Sequence, residues 1–217
     1  MHIVEGYLPL EWCLIWFVLS LIAIVIGIIQ LKRLLGQVPE LKKFLALNGI
    51  VMFFASLLNL PSVNGCSSNV PFNTLSGSFL GPAITSVVVA VVLLLQAFIL
   101  GYGGITTLGA NIFSMGVVGP LAACIVYHFL KKTNAPDIIS IVIAVIFANL
   151  FTIATAAVQL GLVYGKISMF FLILLVGQIF MVIFDIVITA VVYFIMNKLF
   201  EGSEIFSFDL NDFFKLN

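Results

Sequence analysis

The chain has 217 residues, of which 63% are hydrophobic and only 8% are charged, and its formal net charge is zero. Soluble domains carry roughly 25% charged residues, whereas this chain has no Asp, Glu, Lys or Arg between Phe44 and Leu130. The composition excludes a soluble domain and predicts a polytopic protein of the cell membrane, and the neutral balance gives no indication of a nucleic-acid partner.

Six long apolar runs predict helices that cross the lipid bilayer, because lipid offers an unpaired backbone no hydrogen-bond partner. They are Trp12–Leu31, Phe44–Leu60, Ala83–Leu100, Leu108–Leu130, Ile138–Tyr164 and Ser168–Leu199. The first run has no basic stretch before it and no small-residue cleavage site after it. It is therefore expected to be a retained span rather than a signal peptide.

The basic residues indicate a seventh crossing. One group lies between the first two runs and another follows the fourth run (Lys32, Arg33, Lys42 and Lys43; Lys131 and Lys132). The positive-inside bias places both groups in the cytoplasm, which six crossings do not allow. Residues 70–80 can supply the missing crossing as a short helix of about 16 Å, which the Gly-Pro pair at 81–82 would end.

The predicted fold is an all-α, multi-pass membrane protein with a single domain over residues 1–217. It has seven helices, one of them short, with the N-terminus outside and the C-terminus in the cytoplasm. A short helix entering from an outer loop is how transporters build a binding cavity at membrane depth. The phenylalanine-rich tail from Glu201 onward is expected to be a frayed interfacial helix.

The first two residues, Met1 and His2, offer a metal chelate. The α-amine, the His2 amide nitrogen and the His2 imidazole can close two fused rings, which leaves a fourth position open. Such a nitrogen set suits Co²⁺, Ni²⁺ or Cu²⁺. Methionine removal needs a small second residue, so Met1 is expected to persist. The alternative is that position 2 is histidine by chance.

Polar residues within the apolar runs are the other candidates. Asp185 is the only acidic residue inside a run, and such a group is either functional or a hydrogen-bonded link between helices. Asn149 is a functional candidate as well. Four other amides are interpreted as interhelical hydrogen-bond partners (Gln96, Asn111, Gln159 and Gln178). No nucleophile–base set is present, so an enzyme is not expected.

Several stretches carry a resemblance to a known family. The opening MHIVEGYLP, the PSVNG stretch, the LGP at 80–82, the TAAVQL run and above all the block GGITTLGANIFSMGVVGP at 103–120 resemble signatures of the CbiM/NikM family. These proteins are the substrate-capture membrane components of cobalt and nickel energy-coupling-factor transporters, and the chain looks more like the CbiM branch. The resemblance implies an outward N-terminus that folds back to hold the metal. It also implies partners similar to CbiQ, CbiN and the ATPase CbiO.

The chain departs from the family pattern at the metal-site loop. The family histidine that supplies the fourth ligand falls on Asn69 in an ungapped alignment, and an amide is a poorer donor to Co²⁺ or Ni²⁺ than imidazole. Cys66 is a possible substitute ligand, or simply a loop cysteine. Asn149 and Asp185 stand where the family tends to have aspartate and glutamate.

The expected function is therefore capture of Co²⁺, as transported substrate, by the membrane component of an ATP-driven import complex that serves cobalamin biosynthesis. The expected ligands are Met1, His2 and Asn69, or a water in the place of Asn69, with Cys66, Asn149 and Asp185 as supporting polar residues. One alternative is a nickel-specific component. Another is a degenerate paralogue that assembles with the ATPase module and captures no metal.

Overall fold

The computed structural model describes residues 1–63 and 66–206, and the rest of the expected interfacial tail lies outside them. The helices are α1 (Leu10–Leu35), α2 (Leu41–Ala55), α3 (Thr74–Leu100), α4 (Leu108–Ile112), α5 (Gly119–Lys132), α6 (Asp137–Tyr164) and α7 (Ile167–Leu199). A π-helical segment (Phe113–Val118) joins α4 to α5, and a 3₁₀ turn (Glu204–Phe206) ends the described chain.

Long apolar helices dominate the structure and identify it as a multi-pass membrane protein. Within the described residues, five helical segments are long and apolar enough to cross a bilayer, namely α1, α3, α4 to α5 taken together, α6 and α7. Helix α2 has 15 residues, fewer than the roughly 20 that span a hydrocarbon core. The count of seven crossings and the outward N-terminus stay predictions.

The second predicted run differs from the observed structure at its end. The sequence predicted a span over Phe44–Leu60, whereas α2 ends at Ala55 and the chain enters a strand at Asn59. Three short strands, β1 (His2–Ile3), β2 (Asn59–Val63) and β3 (Cys66–Asn69), form an antiparallel sheet in the order β1-β3-β2. The all-α expectation missed this sheet, because its strands are too short to show a two-residue hydrophobic period.

Helix α3 reverses direction at Gly81. A straight helix from Thr74 to Gln96 would separate its ends by about 33 Å, yet both ends approach the first two residues of the chain. Asn69, just before α3, contacts Met1, and Gln96, near the other end, contacts His2. Gly81 has non-helical angles inside α3 (φ 76°, ψ 171°), a conformation that glycine adopts without strain. The predicted short helix therefore exists, but it starts at Thr74 rather than at residue 70, since Phe72 has φ 45°.

The helices alternate between two ends of the bundle. Tyr164, at the end of α6, donates a hydrogen bond to the carbonyl oxygen of Tyr7 at 2.9 Å, so this end holds the N-terminal segment. Lys131 and Asp137 form an ion pair at the other end, where α5 leads into α6. Basic residues occupy the last turns of α1, α5 and α7, which reach the same end. This arrangement agrees with a cytoplasmic basic end.

Small residues bring α1 against the helices that follow it. A Cβ atom added at Gly27 would lie 2.0 Å from the Ala83 carbonyl oxygen, and one added at Gly109 would lie 2.4 Å from the Phe17 Cα atom. Ser20 also donates a hydrogen bond to the Gly109 carbonyl oxygen at 2.7 Å. These close approaches hold α1 against α3 and against the start of α4.

Candidate metal-binding site

The N-terminal residues fold back into the protein as strand β1. Met1 and His2 are only 2% and 1% exposed, and His2 lies opposite Ser67 of β3. The backbone of Ile3 is held from the other side, because its N–H donates to Asn111 Oδ1 at 2.7 Å and its carbonyl accepts from Asn111 Nδ2 at 3.1 Å. The sequence interpreted Asn111 as an interhelical partner, whereas the structure uses it to anchor the N-terminus.

The Met1 α-amine lies between strand β3 and the π-helical segment. It donates a close hydrogen bond to Asn69 Oδ1, and the sulfur of Met115 is 3.9 Å away. Asn69 is fully buried. The structure thus brings together Met1, His2 and Asn69, the three residues that the sequence predicted as ligands.

The His2 ring has one nitrogen bonded and one free. Its Nε2 lies 3.0 Å from Gln96 Oε1. Gln96 Nε2 in turn donates to Ser56 Oγ at 2.7 Å, while Ser56 donates its own proton to Phe53 O at 2.6 Å. This fixes the Gln96 oxygen as the acceptor, so Nε2 carries the imidazole proton.

The remaining nitrogen, His2 Nδ1, therefore presents a lone pair. It is buried and has no hydrogen-bond partner in the described part of the chain. A buried polar atom without a partner calls for an explanation, and an absent ion is one. Nδ1 is also the nitrogen that closes a six-membered ring with the His2 amide. The residues present therefore fit a metal ion held by the N-terminal chelate.

The electrostatics of the site favour metal binding near neutral pH. Burial lowers the pKa of the Met1 amine from 8.0 to about 5, against opposing effects of Cys66 and Asp185. Burial and the nearby amine lower the pKa of His2 from 6.5 to about 3, against the opposing hydrogen bond from Gln96. Both nitrogens are then unprotonated at pH 7, and a metal ion does not have to displace a proton from either.

The donor set depends on main-chain nitrogens. Across residues 1–63 and 66–206, no group of three or more His, Cys, Asp or Glu side chains is arranged to hold a metal ion. The Met1 amine, the His2 amide and His2 Nδ1 are the three candidate nitrogen donors instead, and Asn69 Oδ1 lies next to the amine.

Cys66 lies differently from Asn69. Side chains alternate along a strand, so Cys66 and Asn69, three positions apart on β3, point to opposite faces. Cys66 lines a separate groove of about 430 Å³ with Ser68 and residues of α7. Burial raises the pKa of the Cys66 thiol to about 12, whereas metal binding needs the thiolate. These observations argue against Cys66 as the fourth ligand.

Asn149 and Asp185 do not touch Met1 or His2, but they bond to each other and lie close behind Asn69. Asn149 Nδ2 donates to Asp185 Oδ2 at 2.7 Å. Gln178 Nε2 donates to the Asn69 carbonyl oxygen at 2.8 Å. Sequence analysis assigned Gln96 and Gln178 to helix packing and missed their places at the site, although an amide in an apolar run is a detectable signal.

The fold and the site define a class: multi-pass membrane proteins whose own N-terminus is enclosed as a candidate metal chelate. Two crystal structures, one of a transition metal transporter and one of a truncated transition metal transporter, share the fold. They cover 97% and 92% of this chain and 99% of their own, with TM-scores of 0.77 and 0.78 at 22% identity.

The family described as the cobalt uptake substrate-specific transmembrane region, CbiM, matches residues 2–201, and the chain belongs to this family. It is 49% identical to the putative cobalt transport protein CbiM of Methanocaldococcus jannaschii over 76% of this chain and 70% of that protein. It is 40% identical to the cobalt transport protein CbiM of Streptococcus sanguinis over 91% of this chain and 84% of that protein. The predicted family is confirmed, and the relatives' names support a transporter rather than an enzyme.

Proposed function

We propose that this chain is the substrate-binding membrane component of an ATP-driven energy-coupling-factor importer, and that it captures Co²⁺ for cobalamin biosynthesis. The family membership and the transport names of the relatives support cobalt as substrate. Its proposed partners are a CbiQ-like coupling protein, a small CbiN-like membrane protein and a CbiO-like ATPase. The capture step itself breaks no covalent bond in a substrate, so the chain acts as a binding protein.

The observation that supports metal capture most directly is the unpartnered lone pair of His2 Nδ1, next to a buried amine of lowered pKa. Co²⁺ entering from the outer face would take the Met1 amine and His2 Nδ1 without displacing a proton from either. Coordination by the His2 amide nitrogen then releases one proton to solvent. Gln96 keeps the other ring nitrogen protonated throughout, as outer hydrogen-bond partners of metal-bound histidines do.

Asn69 is the proposed fourth donor. Its Oδ1 already contacts the Met1 amine, so a small movement of either group would admit an ion between the amine and the amide oxygen. An oxygen donor is weaker here than an imidazole. We therefore expect a working site of reduced affinity.

The same nitrogen-rich set also suits Ni²⁺, which for a given site generally binds more tightly than Co²⁺. A nickel-specific component is thus the alternative within the same class. Competition between the two ions on the purified protein, and uptake of each in cells, distinguishes the alternatives.

A degenerate paralogue is the second candidate, and the Met1–Asn69 contact favours it. That hydrogen bond satisfies the amine without any metal. Under this hypothesis the chain assembles with the ATPase module and has a structural or regulatory role.

Titration of the purified protein with Co²⁺ tests the proposal. We expect about one ion per chain, because the four donors form one site. One residue added before Met1 should abolish binding, because an internal amide cannot replace the free amine, and His2→Ala should do the same. His128→Ala is the matched control, since the His128 Nδ1 atom contacts the Cys124 carbonyl oxygen at 2.8 Å, far along the chain from the site.

Wild-type Co²⁺ affinity in the variant with one residue added before Met1 would contradict the proposed N-terminal chelate. Absence of binding in the folded wild type would support the degenerate paralogue.

A further inference from the structure

A fully buried carboxylate lies behind the candidate metal site. Among the residues that the structure describes, Asp185 is the only buried Asp, Glu, Lys or Arg. It accepts hydrogen bonds from Asn149 Nδ2 at 2.7 Å and from Thr189 Oγ1 at 3.2 Å. Asn149 Nδ2 also donates to the carbonyl oxygen of Val145 at 3.0 Å, which fixes it as the donor toward Asp185.

Hydrogen bonds connect this carboxylate to the loop that carries Asn69. Gln178 Nε2 donates to Asn149 Oδ1 at 3.4 Å and to the Asn69 carbonyl oxygen at 2.8 Å. Asp185 is therefore connected to the loop through two amide side chains, those of Asn149 and Gln178.

The charge of Asp185 has no basic side chain to balance it. In the described ranges no Lys or Arg forms a salt bridge with Asp185. The N-terminal amine is the positive group that acts on it when protonated.

Metal binding would leave a positive charge in the site. A divalent ion bound through a deprotonated amide, a neutral amine, a neutral imidazole and an amide oxygen carries a net charge of +1. An isolated buried charge is costly unless an opposite charge compensates it. The Asp185 carboxylate brings the net charge of the buried set to zero.

We propose that Asp185 is the buried counter-charge of the metal site and, through Asn149 and Gln178, the positioning residue for Asn69. This inference rests on the proposed function, because it presupposes that the site binds a divalent ion. Asp185 belongs to no ligand set, and its effect is on affinity.

A charge swap between hydrogen-bonded neighbours tests this role. Asp185→Asn removes the charge and keeps the size of the side chain, and it should weaken Co²⁺ binding by about 10- to 100-fold, as loss of outer-shell partners does. The double variant Asp185→Asn with Asn149→Asp restores one carboxylate in the same pair and should recover most of the affinity. Thr189→Val is the control, since it removes one hydrogen bond from Asp185 and leaves the charge.

The absorption spectrum of bound Ni²⁺ separates a counter-charge from a ligand. It should be the same in the wild type, Asp185→Asn and the swap, because the metal's donor atoms are unchanged. If Asp185→Asn does not fold, the folded swap variant decides: affinity close to the wild type supports the counter-charge, and an affinity at least 10-fold weaker overturns it.

The outcomes also separate this inference from the proposed function. A wild type that takes up no Co²⁺ overturns both. Wild-type binding with unchanged affinity in Asp185→Asn, or a loss that the swap does not recover, overturns the counter-charge alone.

Discussion

The hydrogen bond from His2 Nε2 to Gln96 can be removed while the metal's donor atoms stay in place. Gln96→Met keeps the length and approximate volume of a side chain that is 1% exposed, but it removes the oxygen 3.0 Å from the His2 ring. When a metal ion occupies Nδ1, Nε2 must carry the proton, and that proton then has no acceptor. The substitution therefore acts on the metal-bound state.

An unsatisfied buried donor costs about 1–3 kcal/mol. At about 1.4 kcal/mol for each factor of ten, Gln96→Met should weaken Co²⁺ binding by at most about 150-fold. The metal-free protein loses the same acceptor, but a metal ion on Nδ1 makes the Nε2 proton a stronger donor, so the metal-bound state loses more. Calorimetric titration measures the affinity, and thermal unfolding without metal measures the loss of the second bond, from Gln96 to Ser56.

Gln159→Met is the matched control. Gln159 is equally buried, and its amide donates to the carbonyl oxygen of Ala110 at 3.0 Å rather than to a proposed ligand. It should change stability without changing Co²⁺ affinity by more than about threefold, or about 0.7 kcal/mol. Wild-type affinity in a folded Gln96→Met variant would refute the assigned ring orientation and, with it, Nδ1 as the ligand.

Five further results are expected. Because the pKa of the buried amine is about 5, Co²⁺ binding at pH 7 should release about one proton, which comes from the His2 amide, and about two protons below pH 5. Calorimetry in buffers of different ionisation enthalpy measures the number of protons released. Release of two protons at pH 7 would contradict the lowered pKa. The unfolded chain binds more protons than the folded chain between the two pKa values of the amine, about 5 and 8.0, so metal-free stability should rise with pH in this window. Asn69→His should tighten Co²⁺ binding by at least tenfold, because its imidazole supplies a fourth nitrogen donor. The gain should fade below about pH 6.5, and unchanged affinity would mean that this loop does not reach the metal. Gly27→Ala should lower the free energy of unfolding by about 1–3 kcal/mol through overpacking. Gly49→Ala is the control and should change it little, because a new Cβ there would meet its nearest neighbour at 3.7 Å. Similar values for both variants would refute the close packing of α1 on α3. Finally, an impermeant thiol reagent added to cells should label a cysteine introduced at Lys166 but not one introduced at Lys131, because the predicted topology places only Lys166 outside. The native cysteines are buried and should not interfere. The reverse pattern would invert the predicted topology.

Much of the architecture followed from the sequence because lipid leaves an apolar run little choice. The first, third, fifth and sixth predicted spans correspond to the long helices α1, α3 after its break, α6 and α7. The fourth predicted span corresponds to the continuous helical segment Leu108–Lys132. The predicted end of the second helix was wrong, because the apolar residues after Ala55 enter a turn and a strand. Hydropathy alone does not separate a helix from a short buried strand.

The sequence by itself also determined the core of the candidate site, because three of its nitrogens belong to one dipeptide and their chelate geometry is local. Only the tertiary structure decided what surrounds them. The Gln96 acceptor lies 94 residues from His2, and Asn69 reaches Met1 across 68 residues. Both contacts require the reversal at Gly81 and the pairing of β1 with β3. A buried amide pairs with whichever partner the fold brings within 3 Å or so, and residue order in the chain does not encode that partner.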